Sequence, residues 1–129
     1  MITTITFINH DIEKEDVLPF QDEYFDVVTM LAVFEHIEFD KLVRTIKEIY
    51  RILKKGGIYI MTTPAAWTDG LLRFMAKLRL VSSAEIDEHK WAYSLSRIAH
   101  VIQEGNFLKE NLQLGYFEMF MNLWAMARK

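Results

Sequence analysis

One run of the sequence, residues 18 to 64, constrains the fold more than any other part of the chain. It contains an apolar segment, FDVVTML at Phe25–Leu31, then an amphipathic segment, then a second apolar segment that begins after two glycines. A nearly unbroken apolar run with adjacent valines is typical of a strand that is buried on both faces, as in a parallel sheet. The order strand, helix, strand therefore predicts a parallel βαβ unit.

The amphipathic segment predicts the most clearly marked helix of the chain. Its apolar residues recur every three or four positions, which places them on one face of a helix. These residues are Leu42, Val43, Ile46, Ile49, Tyr50 and Leu53. We expect Asp40 to cap the amino end and Gly56 to follow the carboxyl end in a left-handed conformation. A strand is then expected over residues 58–63, before Pro64.

Weaker patterns extend this order in both directions. Residues 5–8 are rich in strand formers and are followed by a turn-like Asn-His-Asp cluster, so we expect a strand there. Helices are expected over residues 71–80 and from Ser94 or Ser96 to just before Gly105, and a pair of strands in the tail. The whole order predicts an α/β fold, a parallel sheet closed by a terminal antiparallel strand pair.

Composition sets limits on function. The formal net charge of −3 argues against a dedicated nucleic-acid binder, which would carry a basic stripe. The chain has no cysteine, and its four histidines lack the i, i+4 spacing of a helical zinc site, so no metal site is predicted. No signal peptide is evident and no apolar stretch is long enough to span a bilayer. We therefore expect a soluble, cytoplasmic protein.

The run from residue 18 to 64 resembles the central and C-terminal part of class I S-adenosylmethionine-dependent methyltransferases. The resemblance rests on LPF followed by FDVV, on LAVFEH and on RILKKGG, which occur in that order. It implies a partial Rossmann-like sheet and the transfer of a methyl group from S-adenosylmethionine to a small-molecule acceptor. Two alternatives stay open: a non-catalytic methyltransferase-like module for binding or assembly, and an unrelated α/β nucleotide-binding protein.

The resemblance assigns cofactor contacts to two segments. Asp11 and Ile12 match the end of the family's third strand, where a carboxylate accepts a hydrogen bond from the adenine amino group and the next residue contacts the adenine ring. Leu31, Ala32 and Val33 follow the central strand and would line the cofactor cleft, since ligands of open α/β sheets bind beyond the carboxyl ends of the strands. The alternative for Asp11 is a capping role in a loop.

Glu35 and His36 are the candidate catalytic residues, because the family carries the same acidic-histidine pair at this position. A neutral imidazole can accept a proton from an acceptor hydroxyl near pH 7. The alternative is that one of the two side chains ties this loop to neighbouring backbone.

The aromatic-rich segment after Pro64 matches a region that often forms the substrate lid in this family. It offers four candidates for contacts with the methyl acceptor. They are Trp67, His89, Trp91 and Tyr93. The alternative for each is packing in the hydrophobic core.

The family's glycine-rich loop has no counterpart, because no glycine precedes Gly56. We interpret residues 1–129 as one truncated methyltransferase-like domain, and we expect weak or absent binding of S-adenosylmethionine by the isolated chain. In the family strand order 3-2-1-4-5-7-6, loss of strands 1 and 2 leaves Phe25–Leu31 as an open apolar edge. We predict that residues 5–8 fill the place beside it or that a second copy does, giving a homodimer or a domain-swapped assembly.

Overall fold

The computed structural model describes residues 4–65, 77, 94–118 and 122–129. Apart from the single helical residue Lys77, this part of the chain contains four strands, two α-helices and two short 3-10 turns. The strands and α-helices are β1 (Phe25–Leu31), α1 (Phe39–Ile52), β2 (Leu53–Pro64), α2 (Leu95–Glu104), β3 (Leu112–Phe117) and β4 (Asn122–Arg128). The 3-10 turns are Phe34–His36 and Lys109–Asn111.

The strands form a mixed sheet in the order β1-β2-β4-β3. β1 and β2 run parallel, with Met30 opposite Met61, while β4 is antiparallel to both β2 and β3. The parallel pair joined through α1 is the βαβ unit that the sequence predicted, and β3 with β4 is the predicted terminal pair. The α/β fold class is therefore confirmed. Of the helix expected over residues 71–80, the structure describes Lys77 alone, which is helical.

Helix α1 buries the apolar stripe that its pattern predicted. Leu42, Ile46 and Ile49 are at most 2% exposed, and they share one core cluster with Tyr59 and Met61 of β2. Full burial of a large aliphatic side chain contributes about 1.5–3 kcal/mol. This helix–sheet contact is therefore a principal source of stability in the described part of the chain.

The ends of α1 differ from the prediction. Glu38 precedes the helix and makes no side-chain capping bond, so the expectation that Asp40 caps it is wrong. Asp40 lies in the first helical turn instead, where a negative charge suits the helix dipole. The helix stops at Ile52 and the chain enters β2 directly at Leu53. Gly56 has the expected left-handed φ, 79°, but lies within the early part of β2 and not at the helix end.

Helix α2 has the ends that its sequence predicted. Of the two candidate serines, Ser94 is the N-cap, and its hydroxyl accepts a hydrogen bond from the Arg97 N–H (3.4 Å). Gly105 directly follows the helix, and its N–H donates to the Val101 carbonyl (3.2 Å). Within the described ranges, no helix combines the length and the apolar character needed to cross a membrane.

Residues 5–8 do not form the expected strand. They have no assigned secondary structure, and Ile5, Phe7 and Ile8 are all exposed. A strand needs a neighbour for its N–H and C=O groups, and no described strand pairs with this segment. The predicted strand is therefore wrong for this chain, and so is the option that it fills the place beside β1.

β1 lies at an edge of the described sheet. Val27 and Leu31 are 50% and 57% exposed, whereas Met30 is buried. Alternate side chains of a strand point to opposite faces, and only the face with Met30 packs on the core cluster. The expectation that this strand is buried on both faces is therefore wrong, while the open apolar edge expected from the family strand order is present.

The loop that leads into β1 is fastened to α1 by Arg51. The guanidinium donates to the carbonyls of Phe20 (2.8 Å) and Leu18 (3.1 Å). It also pairs with Glu48 (2.7 Å) and Asp22 (2.8 Å). Hydrogen bonds to these two carboxylates raise the pKa of Arg51, and the bond from Arg51 lowers the pKa of Glu48. The planar fork of donors thus fixes the path of the chain into the sheet.

Candidate functional site

The candidate site lies where β1 and β2 end together. The two strands are parallel, and Leu31 at the end of β1 is the register partner of Thr62 near the end of β2. Ligands of open α/β sheets bind beyond the carboxyl ends of such strands. The residues that follow β1 and those that end β2 therefore form the edge at which a cofactor is expected.

The chain leaves β1 through a residue in an unfavourable backbone conformation. Ala32 has a φ of 56°, a left-handed conformation that costs a non-glycine residue about 1–2 kcal/mol. Its N–H donates to both the carbonyl oxygen and Oγ1 of Thr62, each at 3.1 Å. This double contact holds the turn against β2. Conformations of this kind cluster at ligand sites, where the surrounding structure maintains them.

Apolar side chains flank this turn. Leu31 and Val33 are both exposed, on either side of Ala32. Three of the predicted cofactor-binding residues thus lie at the carboxyl ends of the parallel strands β1 and β2. Exposed aliphatic side chains at such an edge suit contact with an aromatic ring of a ligand.

Glu35 and His36 lie in the 3-10 turn that follows, and they differ in accessibility. The side chain of Glu35 is 3% exposed and that of His36 is 40% exposed. Glu35 accepts a hydrogen bond from the buried Thr63 hydroxyl at 3.0 Å (Oγ1 to Oε2). Its other oxygen lies 3.6 Å from Nε2 of His36. Glu35 therefore ties the turn to β2 by a bond to the side chain of Thr63 and not to backbone. His36 is the member of the pair that is accessible to a ligand.

Asp11 makes the contacts of a capping residue. Its Oδ1 accepts a hydrogen bond from the Glu13 N–H (3.0 Å), and its carbonyl accepts from the N–H groups of Lys14 and Glu15 (3.1 and 3.0 Å). Ile12 is half-buried and packs against the core cluster. The loop-capping alternative thus matches the observed contacts, and the adenine contact of Asp11 stays a prediction.

The candidates for contacts with the methyl acceptor lie outside the described residues. They are Trp67, His89, Trp91 and Tyr93. Their roles stay predictions.

The structure adds residues to the site that the sequence did not single out. Thr62 and Thr63 supply the hydrogen bonds that hold the turn after β1. No local pattern indicates these contacts, because the partners are 30 and 28 residues apart in the sequence. The sequence placed both threonines at the end of a strand but gave no reason to pair them with Ala32 and Glu35.

His10 is a second residue that the sequence did not mark. Its side chain is 12% exposed, and Nδ1 lies 2.9 Å from Oε2 of Glu15. Nε2 is buried without a hydrogen-bond partner among the described residues. In the same part of the chain, no group of three or more histidine, aspartate or glutamate residues could hold a metal ion.

Comparison with known proteins shows what the chain is similar to. A model of the methyltransferase domain matches residues 2–61. A comparison with curated proteins gave no significant match. Among solved structures, a protein described as a possible histamine N-methyltransferase from Thermotoga maritima is 22% identical, with a TM-score of 0.66 over 88% of this chain and 60% of that chain.

Two further solved structures show the same likeness. A methyltransferase from Archaeoglobus fulgidus is 14% identical, with a TM-score of 0.69 over 95% of this chain and 66% of that one. A methyltransferase from Methanosarcina mazei is 16% identical, with a TM-score of 0.64 over 93% of this chain and 65% of that one. The chain therefore spans less than two thirds of the length of each of these proteins.

The fold and the edge formed by β1 and β2 thus define a Rossmann-like protein of the methyltransferase type. More specifically, residues 2–61 match the methyltransferase domain, and the fold of the described residues is similar to that of S-adenosylmethionine-dependent methyltransferases. The resemblance to this family that the sequence predicted is therefore confirmed.

Proposed function

We propose that this chain supplies the adenine side and the acceptor side of a site for S-adenosylmethionine-dependent methyl transfer to a small molecule. The observation that carries the proposal is the turn at Ala32. It is strained, held by Thr62 and flanked by exposed apolar side chains at the carboxyl end of a parallel strand pair. It lies in the segment that matches the methyltransferase domain.

Residues 31–33 and the carboxylate of Asp11 offer the chemistry that recognition of an adenine ring needs. Leu31 and Val33 offer exposed aliphatic surface for the face of the purine. The Asp11 carboxylate is 51% exposed; its Oδ1 accepts a hydrogen bond from the Glu13 N–H, and its Oδ2 lies 3.8 Å from Nζ of Lys14. A carboxylate has several acceptor positions, so Asp11 retains the capacity to accept a hydrogen bond from the adenine amino group.

S-Adenosylmethionine, when bound, supplies a methyl group that is electrophilic because it is attached to a sulfonium. The role of this chain is to hold the acceptor in line with that methyl group and to accept the proton that the acceptor hydroxyl loses. His36 is the proton acceptor, since its imidazole is accessible and lies next to the turn. Glu35 is a positioning residue, because its bond to Thr63 fixes the turn that carries His36.

The test is a titration of the isotopically labelled chain followed by amide NMR spectra. Adenosine and S-adenosylhomocysteine are expected to shift the amides of residues 31–33 and 11–12, whereas homocysteine is expected to leave them unchanged. We expect dissociation constants of roughly 0.1–1 mM, because the contacts proposed here are confined to the adenine ring. Absence of shifts at these amides would overturn the adenine assignment, and micromolar binding would overturn the expected weakness.

A matched pair of variants locates the contact. Asp11→Asn keeps an acceptor for the Glu13 N–H but removes the negative charge, and we expect adenosine binding to weaken about five- to tenfold. Asp16→Asn removes a charge from an exposed carboxylate that pairs with Arg44, and binding should not change. Equal effects of the two variants would show that charge in general, and not Asp11, governs binding.

A further inference from the structure

We propose that β1 pairs with β1 of a second copy of this chain, antiparallel and about a two-fold axis that passes through Thr29. The two four-stranded sheets would then join into one continuous sheet. The proposal concerns an interaction surface, and it does not depend on the methyl-transfer function.

Among the described residues, one side of the β1 backbone has no strand paired with it. The N–H groups of Tyr24 and Ala32 point towards β2, where they bond to the carbonyls of Ile52 and Thr62. Because peptide groups alternate in direction along a strand, the odd-numbered residues point their N–H and C=O groups away from β2. No other described strand lies on that side. An unpaired edge of this kind is a template for pairing with another chain.

The geometry of the edge selects one register. The register with β2 is irregular between Phe25 and Val27, and the chain turns away at Ala32, where φ is positive. The regular edge is therefore residues 27–31, and its midpoint is Thr29. Antiparallel pairing centred on Thr29 uses the whole edge and forms hydrogen-bonded pairs at all three outward-facing positions.

In this register the side chains of β1 in one copy fit those of β1 in the other. Val27 lies opposite Leu31 of the second copy, so two aliphatic side chains that are 50% and 57% exposed in the single chain cover one another. A two-fold axis gives this contact twice, as an isologous interface requires.

Charge does not oppose the pairing. The outward-facing positions of residues 27–31 are uncharged, without the lysines or prolines that often protect natural edge strands. The charged residue of β1 is Asp26, which pairs with Lys54 of its own chain at 3.5 Å. In the proposed register Asp26 lies opposite Ala32 of the second copy, so no like charges meet.

The other edge strand is less suited to self-pairing. β3 carries Gly115 near its centre, and glycine inside a strand weakens pairing. A side chain in place of this glycine would meet the Trp124 ring at 2.5 Å, so the strand cannot gain one there without a shift of that ring. Acidic residues also flank β3 on both sides, at Glu110 and Glu118.

The first measurement is the mass of the chain in solution, by analytical ultracentrifugation over a range of concentrations. We expect a monomer–dimer equilibrium with a micromolar dissociation constant, since a strand edge is a small interface. Thr29→Lys and Thr29→Glu each place two like charges on the axis, and each is expected to weaken the dimer at least about tenfold. Mixing the two variants should restore dimers. A wild-type chain that stays monomeric would overturn the proposal.

The matched control is Gln113→Lys, which adds a charge at an exposed position of β3, and it should leave the dimer unchanged. A dimer that is weakened by Gln113→Lys but not by the Thr29 variants would place the interface at the opposite edge. A dimer that resists all three variants would favour a domain-swapped arrangement. Either result would overturn the pairing through β1.

Cross-linking tests the register itself, because the chain has no cysteine of its own. In the proposed register two copies of Thr29→Cys have Cα atoms about 5.5 Å apart, within disulfide range. Two copies of Val27→Cys are separated by about 14 Å along the strands, which is too far for a disulfide. Rapid oxidation to a dimer by Thr29→Cys alone would support the register, and equal cross-linking of both variants would overturn it.

Discussion

The Thr63 hydroxyl donates a 3.0 Å hydrogen bond to the Glu35 carboxylate, and both residues are buried. This bond joins the end of β2 to the turn that carries His36. Thr63→Val removes the donor and leaves a buried carboxylate short of a partner, so we expect a loss of about 1–3 kcal/mol in the free energy of unfolding. Urea denaturation followed by circular dichroism measures it.

Thr63→Ser is the matched control, because it retains the hydroxyl and loses only a methyl group. Its cost should be about 0.8 kcal/mol, the value for one buried carbon. If Thr63→Ser and Thr63→Val were equally unstable, packing of the methyl group and not the hydrogen bond would hold the turn.

The part of the site that the sequence could predict is the part with a local pattern. The segment FDVVTML predicted the strand, and the apolar stripe of residues 42–53 predicted the helix between the two parallel strands, since each has a periodicity with its own physical meaning. The place where the helix ends was not predicted, because Gly56 lies inside β2. Those predictions placed residues 31–33, Glu35 and His36 at one edge. The bonds from Thr62 and Thr63 could not be predicted, because they depend on the register between two distant strands.

The wrong predictions also have a physical reason. Residues 5–8 have the composition of a strand, but strand preference reflects packing against neighbours more than an intrinsic backbone tendency. Without a neighbouring strand in the described chain, the segment stays unpaired. Asp40 has the side chain of a capping residue, yet the helix begins one residue before it, and helix boundaries are poorly determined by local sequence.

A second prediction concerns Arg51, whose guanidinium holds the loop before β1 through Leu18, Phe20, Asp22 and Glu48. Arg51→Lys keeps the charge but cannot reproduce the fork of donors. We expect a loss of about 1.5–3 kcal/mol, the range for hydrogen bonds to charged groups. Hydrogen exchange of the amides in this loop should also accelerate.

Arg44→Lys provides the comparison for Arg51→Lys. Arg44 pairs with Asp16 at 3.4 Å between two exposed side chains, and such pairs contribute at most about 1 kcal/mol. Its replacement should therefore change stability little and leave exchange in the loop before β1 unaltered. A comparable loss in both variants would contradict the special role of Arg51.

A third prediction concerns alkaline pH. Tyr59 is fully buried, its hydroxyl contacts Sδ of Met30 at 3.5 Å, and burial raises its pKa above the usual value of 10. A raised pKa in the folded state means that the contribution of Tyr59 is complete below pH 10 and is lost as the pH rises above it. Above pH 10 the phenol of Tyr59 ionises in the unfolded chain but stays protonated in the folded one.

Tyr59→Phe removes this pH dependence. At pH 7 the variant should differ from the wild type by no more than about 1 kcal/mol, since sulfur is a weak acceptor. Above pH 10 the wild type should lose stability faster than the variant, by up to about 1.4 kcal/mol per pH unit. Denaturation curves from pH 8 to pH 11 measure the difference, and parallel curves for the two proteins would contradict it.

The last prediction concerns the contact between α1 and α2 at Gly105. A Cβ at this position would lie 2.2 Å from Cγ2 of Ile46, a core residue of α1. Gly105→Ala should therefore destabilise the chain by about 1–3 kcal/mol through overpacking.

Gly56→Ala should cost about 1–2 kcal/mol for a different reason, because its φ is 79° and nothing lies within 4 Å of the added carbon. Double variants with Ile46→Ala distinguish the steric cause from the backbone cause. Gly105→Ala with Ile46→Ala should lose less free energy of unfolding than the sum of the two single variants, whereas the losses of Gly56→Ala and Ile46→Ala should add. Additivity in both pairs would show that the close approach to Ile46 does not determine the need for glycine at position 105.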